Sequence, residues 1–538
     1  MRSKQNIDRL FKTHRPPSAP GRLDLYLPGI AQELREALAG TQETFIDPAC
    51  QLDATALDQL AVALVEFAED IHTDAGLWRT LESYQSELCG TPLPLFLKPG
   101  EKLAGRFDSR RIRYFLYILW AQLQPDCLVS PSHKDLAKLA ETTSEVLSAS
   151  FRRMPKDSSI VRFLRTPNQR AWDVKRKLVW AGRHSYLFRH QCASYHKTSG
   201  VDITDVGATD DFICQHCTDW CGLGVIDLLA GALDLPEADR LELRTWYERH
   251  QAFYHVIEFA NRGAVVETMN VINLVNDQPY RIRLEMEKCP FIVGQVVLGS
   301  LVPWRGEWYW SGSQRTWEKV DAAVIAMLKK QYLEKNSQIA YRYRPDLAAK
   351  ARASVREHYG DFVKYHGGDL VVFPDGLSLA AAHQKRMREV YSAHSEGIVE
   401  NVMKRHGLRN PWPTLVLPDD LLKHNNGIGA FFNADEGEEW MIHFNDVLSA
   451  FRKQAAVLTD DEVGGIRGII ESESISPAFV QRLVREHGSE AIGRAYMIRD
   501  FQPAPDLDWL LRRFKGKYYR RRYPAISFVE GEIADKEP

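Results

Sequence analysis

No stretch of this 538-residue chain is long and apolar enough to span a bilayer. The most apolar run, "FLYILWAQL" at 115–123, falls far short of the roughly 20 residues a membrane helix needs. The first residues, "MRSKQNIDRLFKTHRPPSAPGR", are positively charged but lack the apolar segment of an export signal. Cysteine is sparse, at eight residues, which excludes a disulfide framework and leaves the thiols free or ligating. A cytoplasmic protein without a membrane role is expected. An excess of one charge sign is also missing: 69 Lys and Arg stand against 71 Asp and Glu. Any affinity for nucleic acid must therefore rest on a local patch. Familiar chemical motifs are missing too. There is no Walker loop, GxSxG elbow or paired-carboxylate motif. "GLG" within "CGLGVID" has no strand before it and no third glycine, and His250 and His255 flank "QAFY" without the HExxH arrangement. No cofactor is expected.

What the chain does have is ordinary globular composition, 44% apolar and 26% charged, over a length that suits several domains. Residues 1–190 read as a helical domain. Leu57, Leu60, Leu64, Phe67 and Ile71 recur at helical spacing behind Asp53 as N-cap, and similar stripes run over 30–39, 111–123 and 134–151. A helical connector is expected over 191–253.

The period changes near residue 254. Tyr280, Ile282, Leu284 and Met286 alternate with Arg281, Arg283, Glu285 and Glu287, the pattern of a half-buried strand. Four more β-rich runs surround it, separated by the turn formers Asn261-Arg262-Gly263, Asn276-Asp277 and Trp304-Arg305-Gly306. This predicts a small antiparallel β-barrel over 254–316, SH3-like or OB-like. Mixed α and β character is expected over 317–455, with short apolar pieces at 369–373 and 429–433. Helices are expected over 456–538, where Ser476-Pro477 and Gly488-Ser489 mark a start and a stop. The predicted class is α+β, with mainly helical N- and C-terminal domains around the barrel.

Three segments, "EDIHTDAGLWRTLESYQSELCGTPLPLF" at 69–96, "IRYFLYILW" at 112–120 and "FFNADEGEEWMIHFNDVLSAF" at 431–451, make the chain resemble a bacterial family known as domain of unknown function 3843. The resemblance implies a shared fold and brings no activity, cofactor or catalytic residue with it.

"TDDFICQHCTDWCGLGVID", 209–227, places Cys214, Cys217 and Cys221 close together, with Cys192 in "RHQCASYHK" upstream. Phe212, Ile213, Cys217, Trp220, Leu223 and Ile226 follow helical spacing behind acidic first-turn residues, which predicts a continuous helix. On such a helix, residues seven apart lie roughly 10 Å apart along the axis, too far to share one zinc. The cysteines are accordingly expected to form a buried stripe, with no metal site.

Two stretches are basic and aromatic. Residues 152–189 carry eleven Lys and Arg against two Asp, interleaved with Phe163, Trp172, Trp180, Tyr186 and Phe188. Residues 201–244 carry ten acids against two arginines and offer an internal partner. "RRFKGKYYRRRYP", 512–524, holds seven positive charges and no acid. It reads either as a nucleic-acid contact or as a helix end whose side chains cover a core. Residues 476–497 have the pattern of two short helices, a weak helix-turn-helix signal.

The expected function is a non-catalytic binding or scaffold protein. "LVPWRGEWYWSG", 301–312, would supply the aromatic surface: Trp304, Trp308, Tyr309 and Trp310 cannot all point inward from a strand, so some must meet a protein partner or the chain's own helices. The alternatives are nucleic-acid binding through 152–189 and 512–524, with Arg520, Arg521 and Arg522 as contacts, and a hydrolase or nuclease whose site is scattered along the chain.

Overall fold

Segment 54–73 shows how the helical part arises. The Asp53 carboxylate accepts the Ala56 backbone N–H at 2.7 Å and starts the helix. Leu57, Leu60, Leu64 and Phe67 then stack on a buried face, and Asp74 ends the helix in the left-handed conformation. The computed structural model describes residues 2–47, 51–124, 127, 129–274, 277–318, 320–335, 345–392, 397, 400, 403–404, 417–453 and 457–520. The chain divides into two compact units, Met1–Gln331 with Met497–Gly516, and Tyr332–Tyr496 with Lys517–Pro538.

Among the described residues the first unit opens with twelve α-helices: α1 (Arg2–His14), α2 (Leu27–Gln42), α3 (Ala54–Thr73), α4 (Leu77–Cys89), α5 (Ser109–Leu123), α6 (Lys134–Ser150), α7 (Ser159–Leu164), α8 (Ala171–His184), α9 (Arg189–Thr198), α10 (Val206–Asp211), α11 (Val225–Ala232) and α12 (Glu237–Arg244). Aromatic side chains bind the layers together. Phe67 on α3 meets Trp78 on α4 edge-on at 4.7 Å and stacks on Phe115 of α5 at 4.9 Å. Helix Pro503–Phe514 returns to this core, where the Trp509 indole N–H donates to Gln85 at 3.1 Å.

The continuous helix expected over 209–227 is broken. α10 ends at Asp211, and one wide turn over Phe212–His216 closes with the Cys217 N–H on the Phe212 carbonyl at 2.8 Å. Cys217 is extended, Cys221 (φ +55) and Gly222 (φ +77) turn the chain, and α11 starts afresh at Val225. The cause lies in "CGLG". A Cβ at Gly222 would stand 3.2 Å from the Arg512 carbonyl oxygen, and the Asp227 carboxylate accepts the Gly224 N–H at 3.0 Å, which caps a new helix. The cysteines are buried, but at separate places. Cys221 Sγ lies 3.6 Å from Cys89 Sγ, Cys192 Sγ 3.7 Å from His196 Nδ1, and Cys214 Sγ 3.8 Å from Lys175 Nζ. Among the described residues no three His, Cys, Asp or Glu converge on a metal-sized site.

Five strands follow: β1 (His250–Arg262), β2 (Val265–Asn273), β3 (Pro279–Met286), β4 (Val296–Trp304) and β5 (Glu307–Trp317). They pair in the order β1-β2-β3-β5-β4, and β4 pairs back onto β1. The sheet is mixed, which corrects the expectation of a wholly antiparallel one: β3 and β5 run parallel, through Ile282 and Trp308. Parity requires this. Directions that alternate around a ring of five must leave one neighbouring pair parallel. Tyr280, Ile282 and Leu284 are buried as their alternation predicts, but Met286 is 39% exposed. The β2–β3 register shifts between Val266 and Thr268, and Glu285 has φ +52, so the strand's last residue leaves the inward face.

The second unit is built on a three-stranded antiparallel sheet, β6 (Leu370–Phe373), β7 (Ile428–Asn433) and β8 (Gly437–Ile442), in the order β6-β7-β8. Helices Pro345–His366 and Gly376–Ser392 share a core with it around Phe362, Leu379, Ile428 and Phe432. Ser476 caps helix Pro477–His487, with its hydroxyl accepting the Phe479 N–H, and Gly488 (φ +82) ends it. The next helix, Glu490–Ala495, spans six residues of which four are buried, so it offers no face to a DNA groove.

Candidate ligand-binding cavity

α8 begins where the Asp173 carboxylate accepts the Arg170 N–H at 3.0 Å. From there Trp172, Lys175, Val179 and Arg183 recur at steps of three and four and share one face. α10 begins where Asp205 accepts the Ala208 N–H at 2.7 Å, and it presents Val206, Thr209 and Asp210 in the same way. From the sheet come Arg283, Leu284 and Met286 of β3, Trp310, Gly312 and Gln314 of β5, and Pro290 and Phe291 of the β3–β4 connection. Together these residues line an open cavity of about 450 Å³, within the range of small-molecule sites.

A buried ionic cluster fixes the inner wall. Asp210, 1% exposed, is ion-paired with Lys175 and Arg249 and accepts the Ser311 hydroxyl at 2.8 Å. Arg249 also reaches Asp211 and donates to the Ser300 hydroxyl at 3.3 Å. Burial opposes ionisation of Asp210, but Lys175 and Arg249 outweigh it and lower its pKa. By the same balance burial works against the Lys175 charge, and Asp210 prevails and raises its pKa. Gly312 (φ +72) lets the β5 backbone approach, since a Cβ there would stand 2.8 Å from Asp210 Oδ2.

Four charged side chains line the cavity, and three are neutralised in place. Lys175 and Asp210 hold one another. Arg283 is gripped by Glu285, by Glu307 at 3.1 Å and by Glu267 at 3.4 Å. Arg183 differs: its Nε is buried without a hydrogen-bond partner, and no ion pair engages its guanidinium among the described residues. The Trp310 indole Nε1, also on the cavity wall, is likewise buried and unpartnered. Such donors carry a desolvation cost that a bound acceptor would relieve.

Lys175 Nζ lies 3.0 Å from the Ser311 hydroxyl, the spacing of a nucleophile and its base. A base must first be neutral, and Asp210 keeps Lys175 charged. Ser311 itself is 1% exposed and donates to Asp210.

The residues anticipated as an aromatic surface are split between two faces of the sheet. Trp304 is fully buried against Trp246 at 5.9 Å, and its indole N–H donates to the Asn168 carbonyl at 3.3 Å. Tyr309 is buried edge-on to Trp172 at 5.3 Å. Trp308 and Trp310 are half-buried on the other face, against Tyr280 at 4.8 Å and Tyr254 at 5.5 Å. In the basic stretch 152–189, Phe163, Trp180, Tyr186 and Phe188 are buried and Trp172 half-buried, which leaves no exposed ring for base stacking. Its charges find scattered partners, Arg162 with Asp157, Arg170 with Glu285, Arg189 with Glu66 and Lys175 with Asp210. In the second stretch Arg512 pairs with Asp508 at 2.7 Å, Arg513 lies over Trp509 and Phe514, Lys515 is fully buried and Lys517 pairs with Glu473. Arg520 is half-buried, and Arg521 and Arg522 lie outside the described residues.

Fold and cavity together define a mainly helical protein that carries a closed mixed sheet, with a ligand-sized cavity where helices meet sheet. Residues 13–201 match the model of a family described as protein of unknown function, domain of unknown function 3843. That match contains two of the segments behind the resemblance, 69–96 and 112–120, together with α8 and Arg183. No curated protein and no solved structure matches the chain.

Proposed function

We propose that the protein is a non-catalytic binding protein whose ligand is a small anion-bearing molecule held in the cavity between α8, α10 and the sheet. The observation that carries this reading is Arg183, whose Nε is buried without a hydrogen-bond partner and which makes no ion pair among the described residues, in a cavity whose other charges are paired; the exposed Asp202 carboxylate feels its charge but forms no ion pair with it. Preformed, largely apolar cavities with a few aimed polar groups are the usual form of a ligand site. The closed sheet fits the OB-like alternative better than the SH3-like one, because β3 neighbours β5 instead of β4, a Greek-key crossing. No membrane role is proposed: among the described residues no helix is long and apolar enough to cross a bilayer.

The test is a thermal-shift panel of small anionic and neutral compounds on the protein and on Val206→Trp. Val206 lines the cavity yet is 61% exposed, so an indole there fills space without disturbing a core. Saturable stabilisation by anionic compounds, lost in Val206→Trp while its unliganded melting is unchanged, is the expected result. Stabilisation that survives Val206→Trp, or a panel in which no anion stabilises, overturns the reading.

A further inference from the structure

We infer that the ligand is an amphiphilic monoanion: one carboxylate on an apolar body, aliphatic or aryl. The inference rests on the proposed binding role of the cavity and narrows it to a ligand class.

The head group follows from charge accounting. Lys175 is neutralised by Asp210 and Arg283 by three glutamates, so Arg183 is the lining cation left without an ion pair, its charge felt only from a distance by the exposed Asp202. A polyphosphate or nucleic-acid strand would bring several negative charges to a site offering one positive charge, beside Asp210. Those extra charges would be desolvated without a partner. A single carboxylate matches the guanidinium in charge and in its planar, two-pronged hydrogen-bonding geometry.

The body follows from the walls. Trp172, Val179, Leu284 and Phe291 give the cavity apolar sides. Two apolar lining residues, Val206 and Met286, are 61% and 39% exposed. An exposed apolar lining favours a ligand that is apolar beyond its head, because covering it removes that surface from water. A small hydrophilic acid would leave the surface wet and gain nothing from it.

Isothermal titration of the full chain separates the possibilities. The probes are decanoate, 4-butylbenzoate, decanol, acetate and inorganic pyrophosphate, applied to the protein and to Arg183→Met, Arg183→Lys and Val206→Trp. One equivalent of decanoate or 4-butylbenzoate is expected to bind at least tenfold more tightly than decanol, with no binding of acetate or pyrophosphate. The tighter of the two acids identifies the body as aliphatic or aryl. Arg183→Met should reduce acid binding at least tenfold and leave decanol unchanged, and Arg183→Lys should recover part of the loss. If Arg183→Met fails to fold, the comparison of decanoate with decanol on the unaltered protein carries the test. Decanol binding as tightly as decanoate overturns the inference, as does the absence of binding by both acids. Pyrophosphate binding more tightly than either acid, and lost in Val206→Trp, overturns it as well but leaves the proposed binding role standing.

Discussion

Ser311 on β5 donates its hydroxyl to the carboxylate of Asp210 at the end of α10, at 2.8 Å and across 101 residues of sequence. Around that bond Lys175 and Arg249 gather, so one carboxylate joins α8, α10 and the sheet in the first unit. The cavity is the space these elements enclose outside the ion cluster, which makes the cluster its foundation.

Asp210→Asn is expected to be strongly destabilising, because it leaves Lys175 and Arg249 buried with one counter-charge fewer. A loss of about 3–5 kcal/mol is the scale for breaking a buried pair from one side. Asp211→Asn should cost less, since that carboxylate is 27% exposed and water can replace part of its role. Urea unfolding of both variants checks the order, and equal losses would show that Asp210 has no special place.

The buried thiols should be slow to react. Burial pushes Cys192 and Cys214 up to about 11, so little thiolate exists near neutral pH. Cys127 and Cys289 are half-exposed. Iodoacetamide at pH 7.5, followed by peptide mass spectrometry, should label Cys127 and Cys289 well before Cys192 and Cys214. Early labelling of Cys214 would contradict the packing around Lys175. Cys214→Ala with Cys217→Ala should fold with a moderate loss of stability, read from the melting temperature.

Glu66 on α3 makes part of the stability depend on acid. Burial opposes its charge, yet Arg189, His14 and Arg15 outweigh burial and hold its pKa at about 2, below the ordinary 4.5. A depressed carboxylate pKa means that the unfolded chain takes up the proton first. The contribution is therefore fully present above pH 4.5 and is lost as pH falls towards 2. Denaturation measured from pH 6 to pH 2.5 should show Glu66→Gln to be less stable than the unaltered chain at pH 6, with the gap closing as pH falls. A gap that does not change with pH would contradict the assignment.

In β3, Ile282 is fully buried, and Ile282→Asp should cost more than about 4 kcal/mol or prevent folding. Neighbouring Arg283 points the other way, among Glu267, Glu285 and Glu307. Arg283→Ala should cost about 1 kcal/mol, while Arg283→Asp should cost more because it adds a fourth carboxylate. Equal effects of Ile282→Asp and Arg283→Ala in chemical denaturation would show the strand's faces to be misassigned.

The strands were legible because their signals are local. Alternation through Tyr280, Ile282 and Leu284 and turn formers at Arg262-Gly263 and Arg305-Gly306 depend on a few neighbouring residues, and the β4–β5 hairpin does turn through Arg305 and Gly306 at positive φ. What alternation could not convey was strand direction: a closed ring of five strands cannot be antiparallel throughout, and here β3 and β5 run parallel. The apolar spacing of 209–227 misled because Phe212, Ile213, Cys217 and Trp220 are all buried, as a helix face would be, on a chain that turns twice. The close approach of Gly222 to Arg512 that forces one turn lies about 290 residues away in sequence. The cavity was less legible still. Trp172, Lys175, Val179 and Arg183 form a readable helical stripe, but in a stretch with eleven basic residues nothing local marks Arg183 as the one that lines the cavity without an ion pair.

The most direct test of the ligand site is the Arg183 Nε–H resonance, followed by NMR as decanoate is added and assigned by its loss in Arg183→Lys. The account predicts a saturable shift whose midpoint equals the dissociation constant from calorimetry, because the carboxylate supplies the acceptor that Nε lacks. Decanoate that binds while this resonance stays fixed would contradict it.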